Sequence, residues 1–198
     1  MTKKNTIIFA TSNPNKIREV KEMLPAHFEI KSLADIGCTE EIPETSPIIE
    51  GNAIQKAQYV VAHYGLDCFA EDTGLEVTAL DGAPGVYTAR YAGPERNASD
   101  NMNLLLDNLR EKADRSARFK TVIALIQNGE THTFEGIVNG TIAQQIAGAG
   151  GFGYDPVFIP ENHNITFAEM AKEAKNAISH RGRALSKLLH FLADTKWF

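Results

Sequence analysis

Thr6-Ile7-Ile8-Phe9-Ala10-Thr11-Ser12-Asn13-Pro14-Asn15-Lys16 is the stretch whose reading decides the fold. Its first five residues are short, uncharged and rich in β-branched and aromatic side chains, the pattern of a buried strand that ends in a polar turn. Helical spacing takes over immediately afterwards, in Ile17, Val20, Met23 and Leu24. Asn13 is a suitable N-cap, Pro14 is tolerated at the first helical position because its missing N–H needs no partner there, and Pro25 ends the pattern. The opening unit is therefore strand, loop, helix.

The same rules organise the rest of the chain. A second helix is expected from about Gly51 to Tyr64, with Ala53, Ala57, Val60 and Val61 on one side and Gly65 as its stop. Asp67 to Ala70 reads as a short strand ending in Glu71-Asp72-Thr73-Gly74, and Leu75 to Leu80 as a further extended segment broken by Asp81-Gly82. Asn101 to Arg110 is helical in pattern. Phe119–Gln127 and Thr131–Val138 read as two strands joined by Asn128-Gly129, a dipeptide suited to the positive φ angles of a tight hairpin. Gly136 to Ile146 is a further extended stretch, Gly148 to Gly153 a glycine-rich loop, and Ala184 to Leu192 a closing amphipathic helix.

The 198 residues suffice for one well-buried core, or for two lobes sharing a sheet, and residues 1–198 read as a single domain. Hydrophobic residues at 43% and charged residues at 23% are the composition of a soluble globular protein. The charged start Met1-Thr2-Lys3-Lys4-Asn5 leads into an apolar run too short for a signal-peptide core or a membrane span. Cys38 and Cys68 have neither a metal-type spacing nor a disulfide framework, so a reducing cytoplasm is the expected location. A net charge of -5 argues against a long nucleic acid as partner, because such binding depends on many Lys and Arg contacts to phosphate. A mononucleotide needs only a few placed cations.

Three polar clusters border the apolar segments, as in a site assembled from loops. Thr11 to Lys16 lies where a strand meets a helix, so free N–H groups and the positive end of the helix dipole suit a phosphate, with Lys16 reaching back and Thr11 and Asn13 adding neutral hydrogen bonds. Taken alone, Asn13 reads as a plain cap and Lys16 as a solvated charge. Glu71 and Asp72 are adjacent on extended backbone and point to opposite faces, so one faces a ligand while the other orients a neighbouring donor. Asp72 is the candidate catalytic base and Mg²⁺ ligand, with Glu44 as a second hard oxygen donor and Lys56 as a phosphate contact. By itself the acidic run around Glu44 is also an ordinary solvated loop. In the third cluster, Lys175 and Ser179-His180-Arg181 have the exposed-type chemistry of donors for a base edge or phosphate, and Phe152 in its glycine-rich loop suits stacking on a base. A core role for Phe152 and a structural one for His180 stay open. The Walker and dinucleotide-binding patterns are absent.

Taken together, Thr11-Ser12-Asn13-Pro14-Asn15-Lys16, Glu44-Thr45, Asn52-Ala53 with Lys56-Ala57, Glu71-Asp72-Thr73-Gly74-Leu75, Gly82 to Tyr87, Gly150 to Pro156 and Ser179-His180-Arg181-Gly182 resemble the inosine/xanthosine triphosphate pyrophosphatase family, in that family's order and over nearly the whole chain. The resemblance implies an elongated α/β fold, a long mixed sheet flanked by helices with two lobes and a central cleft, and a homodimer. It implies Mg²⁺-dependent cleavage of ITP, dITP or XTP between the α- and β-phosphates, which clears deaminated purines from the nucleotide pool. By matching position, Thr11, Ser12, Asn13, Pro14, Asn15, Lys16 and Lys56 would bind the triphosphate. Asp72 would be the catalytic base and a metal ligand beside Glu44. Thr73 would touch the substrate, Phe152, Gly153, Tyr154 and Asp155 would wall the nucleoside, and Lys175, His180 and Arg181 would read the base.

Two positions depart from the family pattern: Glu71 stands where many relatives carry a second aspartate, and Gly51 stands where a glutamate usually precedes the asparagine. Two other functions fit a kept pocket, a nucleotide sensor without turnover and a pyrophosphatase for modified pyrimidine nucleotides. Asp72 and Glu44 speak against the sensor, and Ser179-His180-Arg181 is a poor match to the pyrimidine enzyme.

Overall fold

A computed structural model describes residues 5–194, so the charged start Met1 to Lys4 lies outside the described residues. The first strand, β1 (Asn5–Phe9), buries Ile7, Ile8 and Phe9 and is followed by helix α1 (Pro14–Met23). Asn13 caps α1 as its sequence predicts, accepting from the backbone N–H groups of Asn15 and Lys16. Strand β2 (Phe28–Lys31) then pairs parallel to β1, with Ile7 opposite Ile30. Helix α2 (Ile49–Tyr64) ends on Gly65, whose φ of 64° is the left-handed conformation that glycine reaches at no steric cost.

Strand β3 (Cys68–Val77) runs parallel to β1 and is antiparallel to the two-residue β4 (Pro84–Gly85). Helix α3 (Ala98–Asn108), strands β5 (Ser116–Gln127), β6 (Glu130–Ile142) and β7 (Phe158–Pro160), and helices α4 (Lys172–Ile178) and α5 (His180–Asp194) complete the order. The seven strands form one mixed sheet in the order β2-β1-β3-β5-β6-β7, with β4 attached to β3. Asn128 and Gly129, at φ 50° and 81°, make the tight turn between β5 and β6. Among the described residues no helix is long and apolar enough to cross a membrane.

Two compact units share this chain. Among the described residues, the first comprises 5–72, 121–136 and 181–194, and the second 73–120 and 137–180. In the first, Ile7, Phe9, Ile30, Phe69, Ile123 and Leu125 pack with Val20 of α1 and with Ala184, Leu185, Leu188 and Leu192 of α5. The register that sets Phe9 beside Phe69 stacks their rings at 4.5 Å. In the second, Leu75, Val77, Phe119 and Val138 pack with Leu105 and Leu109, and with Phe158 and Phe167.

Several boundaries differ from the sequence expectation for physical reasons. Glu71 and Asp72 do not end a strand: β3 continues through them to Val77, because both carboxylates are buried and matched by cations from elsewhere in the chain. Thr78–Leu80 is a 3₁₀ turn rather than extended chain. Strand β6 is a single element from Glu130 to Ile142, so Gly136 to Ile142 is not separate. Helix α5 starts at His180, four residues before the apolar stripe that marks it in sequence. Strands β2 and β7 and helix α4 are too short to register as periodic patterns.

Gly140 of β6 lies opposite Pro160 of β7, and a β-carbon there would come within 2.2 Å of the Ile159 carbonyl oxygen. Gly140→Ala is therefore expected to destabilise the protein by about 1–3 kcal/mol, read as a lowered Tm by calorimetry.

Candidate active site

In the first unit the loop after β1 is closed by its own side chains. Thr11 Oγ1 accepts from the Asn13 N–H at 3.2 Å, and Asn13 Oδ1 accepts from the N–H groups of Asn15 at 2.9 Å and Lys16 at 3.3 Å. Thr11 is buried, Ser12 and Pro14 are exposed, and Asn15 accepts a hydrogen bond from Arg18 at 2.8 Å. Lys16 turns toward the sheet, its Nζ lying 3.2 Å from Glu71 Oε1.

Glu71 and Asp72, neighbours on β3, engage different partners, as alternation along a strand requires. Glu71 is fully buried and receives a fork from Arg181, with Nε at 2.9 and 3.1 Å and Nη2 at 2.8 Å. The remaining arm of Arg181, Nη1, reaches Glu19 of α1 at 2.5 Å. Asp72 is gripped at both oxygens from α2: Lys56 Nζ lies 3.4 Å from Oδ1, and Asn52 Nδ2 donates to Oδ2 at 3.3 Å. Lys56 also bonds Glu44. The segment carrying Glu44 is laced along α2, with Tyr59 and Tyr64 donating to Glu40, Thr45 N–H to Gln55, and Ser46 N–H to Asn52.

The charges of this cluster are unequal in their comfort. Burial pushes the Glu71 carboxyl up, yet Arg181 and Lys16 beside it hold it well below the usual carboxylate range. Burial likewise opposes the Arg181 charge, and Glu71 and Glu19 more than restore it. Lys16 is pushed down, chiefly by burial; Glu71 supports its charge, while Lys56 and Arg181 repel it. It is a cation whose charge an incoming anion would relieve.

In the second unit the glycine-rich loop wraps one carboxylate. Asp155 Oδ2 accepts from the Phe152 N–H and from Lys175 Nζ, each at 2.7 Å. A β-carbon at Gly151 would stand 2.0 Å from that same oxygen, and its φ of 68° also requires glycine. The Lys175 ammonium sits 5.5 Å over the Phe152 ring and 5.8 Å from that of Phe167, within cation–π range. Gly153 continues the loop at φ 63°. Tyr154 is buried, its hydroxyl donates to the Thr88 carbonyl at 3.0 Å, and burial pushes the phenol up. The His180 imidazole stacks on Phe119 at 4.5 Å. Thr73 is half-buried on β3.

The candidate residues thus fall into two sets. Thr11 to Lys16, Glu44, Lys56, Asp72 and Arg181 belong to the first unit, and Thr73, Phe152, Gly153, Tyr154, Asp155, Lys175 and His180 to the second. Lys175, Ser179, His180 and Arg181 are all buried, which corrects the exposed character expected of them. The expected base reader Arg181 has Nε, Nη1 and Nη2 all directed at Glu71 and Glu19, so these contacts occupy the fork that would meet a base. Sequence reasoning gave no role to Glu19 or Asn52. Glu19 sits on the same helical face as Lys16 and next to the buried Val20, the one local sign that it points inward. Glu50 accepts from Thr133 at 3.4 Å.

Among the described residues no group of three or more His, Cys, Asp or Glu side chains converges as a metal cage. Glu44 and Asp72 nevertheless both reach Lys56 Nζ, which makes their oxygens a pair already arranged around one positive charge. Two hard carboxylates fit Mg²⁺, which commonly takes one or two protein ligands and completes its shell with water and phosphate.

Buried carboxylates on a central strand of a mixed α/β sheet, each matched by cations from flanking helices, define an α/β protein with a buried cluster of compensated charges. The chain belongs to the Ham1 family, whose model matches residues 7–191. It is 55% identical over 190 residues to the dITP/XTP pyrophosphatase of Flavobacterium johnsoniae, covering 96% of this chain and 99% of that one. It is 47% identical to the dITP/XTP pyrophosphatase of Bacillus subtilis, covering 93% and 96%. The solved structure of the Staphylococcus aureus Ham1 protein superposes with a TM-score of 0.88 at 36% identity, covering 96% of this chain and all of that one. A nucleoside-triphosphatase / dITP/XTP pyrophosphatase from Mycobacterium abscessus gives 0.77 at 43% identity, covering 93% and 98%.

Removing one partner of a buried ion pair leaves an uncompensated charge. Arg181→Ala is expected to cost about 3–5 kcal/mol in chemical unfolding. Because the Glu71 pKa is depressed in the folded state, its contribution is full above the unfolded value near 4.5 and is lost as pH falls below it. Acid titration of stability should therefore show less loss in Glu71→Gln than in the unsubstituted protein.

Proposed function

We propose that this chain hydrolyses deaminated purine nucleoside triphosphates (ITP, dITP and XTP) to the monophosphate and pyrophosphate, and so clears them from the nucleotide pool. The observation that carries the reading is Asp72: a buried carboxylate on the central strand, held at one oxygen by Lys56 and at the other by Asn52, with Lys16 turned toward its neighbour Glu71. The names of relatives that match over nearly the whole chain support the same substrate class.

The triphosphate is assigned to Thr11, Ser12, Asn13, Pro14, Asn15, Lys16 and Lys56. Its arrival gives Lys16 and Lys56 anionic partners beyond Glu71 and Glu44, and it offsets the burial that chiefly disfavours the Lys16 charge. Glu44 and Asp72 would hold Mg²⁺, which neutralises charge on the phosphates. Asp72 accepts a proton from the attacking water; the water oxygen bonds to the α-phosphorus, the bond to the bridging oxygen breaks, and pyrophosphate leaves. Arg181 serves this chemistry by fixing Glu71 and Glu19.

The nucleoside is assigned to Thr73, Phe152, Gly153, Tyr154, Asp155, Lys175 and His180. Hypoxanthine and xanthine carry an oxygen at C6 where adenine carries an amino group. A donor-only side chain such as Lys175 pairs with that oxygen and is left mismatched by adenine. The reading includes a homodimer and a cytoplasmic location.

Pyrophosphate release with Mg²⁺ across ITP, XTP, dITP, ATP, GTP, dTTP and UTP tests the reading. The expected outcome is a kcat/KM for ITP and XTP far above that for ATP and GTP; preference for dTTP or UTP would overturn it. Asp72→Asn should lower kcat by about 10² to 10⁴, the range for loss of a general base, with the fold intact by circular dichroism.

A further inference from the structure

We propose that Asn52 is a positioning residue for hydrolysis, fixing Asp72 and the Glu44 segment through a single buried amide; the inference rests on the assignment of Asp72 as the base. Asn52 is 1% exposed, and its two ends go to different places. Oδ1 accepts the Ser46 backbone N–H at 2.8 Å, and Nδ2 donates to Asp72 Oδ2 at 3.3 Å. A backbone N–H can only donate, so Ser46 dictates which end of the amide carries oxygen. The end facing Asp72 is therefore the donor, and the carboxylate receives it whatever the state of the rest of the site.

Spacing along α2 gives this bond its purpose. Asn52 and Lys56 are four residues apart, on one helical face, and each takes one oxygen of Asp72. Lys56 is also a proposed phosphate ligand, and it shares its ammonium with Glu44. When phosphate competes for Lys56, the Asn52 amide still holds Oδ2 and leaves Oδ1 directed at the reacting groups. Asn52 carries no charge, so it does this without adding to the field of Lys16, Lys56, Glu44 and Glu71 around the carboxylate.

The Ser46 end ties the same amide to the segment that presents Glu44. Ser46 is two residues beyond Glu44, and the intervening Thr45 is bound to Gln55, one turn along the same helix. The space for this approach exists because residue 51 is glycine: a β-carbon at Gly51 would stand 2.0 Å from Ser46 Oγ. Ser46 thus passes closely over the first turn of α2 at residue 51.

A double-mutant cycle with Asp72 distinguishes positioning from general structural support. In the otherwise unsubstituted protein, Asn52→Ala should lower kcat for dITP by about 10- to 100-fold, the usual effect of losing a group that orients a catalytic ligand, while KM changes less than threefold. In the Asp72→Asn background the same substitution should change kcat less than threefold, because the residue it acts through is already disabled. Asn52→Leu keeps the branched shape and loses the donor to Asp72 without adding a charge, so it is a second variant, checked as folded by circular dichroism, in which the kcat loss should persist. Binding of a non-hydrolysable ITP analogue, measured calorimetrically, should stay within threefold of the unsubstituted protein for both variants. Equal fractional losses from Asn52→Ala in both backgrounds, or full activity in Asn52→Leu, would overturn the proposal while leaving the Asp72 assignment standing. An unsubstituted protein that fails to release pyrophosphate from dITP, or an Asp72→Asn protein as active as its parent, would instead overturn the underlying reading.

Discussion

The contact between Arg181 and Glu71 is the constraint on which the first unit depends. A carboxylate with no solvent access on a central strand is tolerable only if its charge is matched at close range, and the guanidinium fork supplies three hydrogen bonds for that purpose. The same guanidinium draws in Glu19, and Lys16 closes on Glu71 from α1. Helices α1 and α5 are thereby joined through one residue of β3. Leu185 and Leu188 of α5 then bury against Phe9, Phe69 and Val20, so the polar anchor and the apolar core fix the same packing.

That arrangement also gives Asp72 a different set of partners. Glu71 absorbs Arg181 and Lys16, and the next residue along the strand turns its carboxylate away from them toward α2. There it meets one cation, Lys56, and one neutral donor, Asn52. A carboxylate locked to arginine is a poor base, and the base role proposed for Asp72 is compatible with its being held by an amide and a lysine instead. The longer side chain at residue 71 finds its use in spanning to Arg181.

Local features of the chain were legible because their causes are local. Asn13 and Pro14 mark the start of α1 through capping chemistry within three residues, Gly65 ends α2, and Asn128-Gly129 turns the hairpin, each by a preference that needs no distant partner. The candidate site was legible in a different way, through the grouping of residue types in separated segments. What spacing could not supply was the partner of each group. Ser179-His180-Arg181 reads as an exposed set of donors, yet Arg181 finds Glu71 across 110 residues of chain and His180 finds the Phe119 ring. Asn52 lies in a segment that carries the family resemblance and Glu19 beside a buried valine, but neither position reveals its partner, because an asparagine or glutamate in a helix is ordinarily solvated.

The sequence by itself determined the strand-loop-helix opening, the long second helix, the β5–β6 hairpin and the collection of Lys, Asp, Glu and aromatic residues suited to an anionic nucleotide. Those depend on backbone preferences and on residue chemistry, both of which are properties of short segments. Only the tertiary structure decided that β3 runs uninterrupted through two buried acids, that Arg181 serves Glu71 and Glu19, and that Asn52 holds Asp72. Each of these rests on compensation of a buried charge or polar group by a partner distant in the chain, and such compensation exists only once the sheet and its helices are packed.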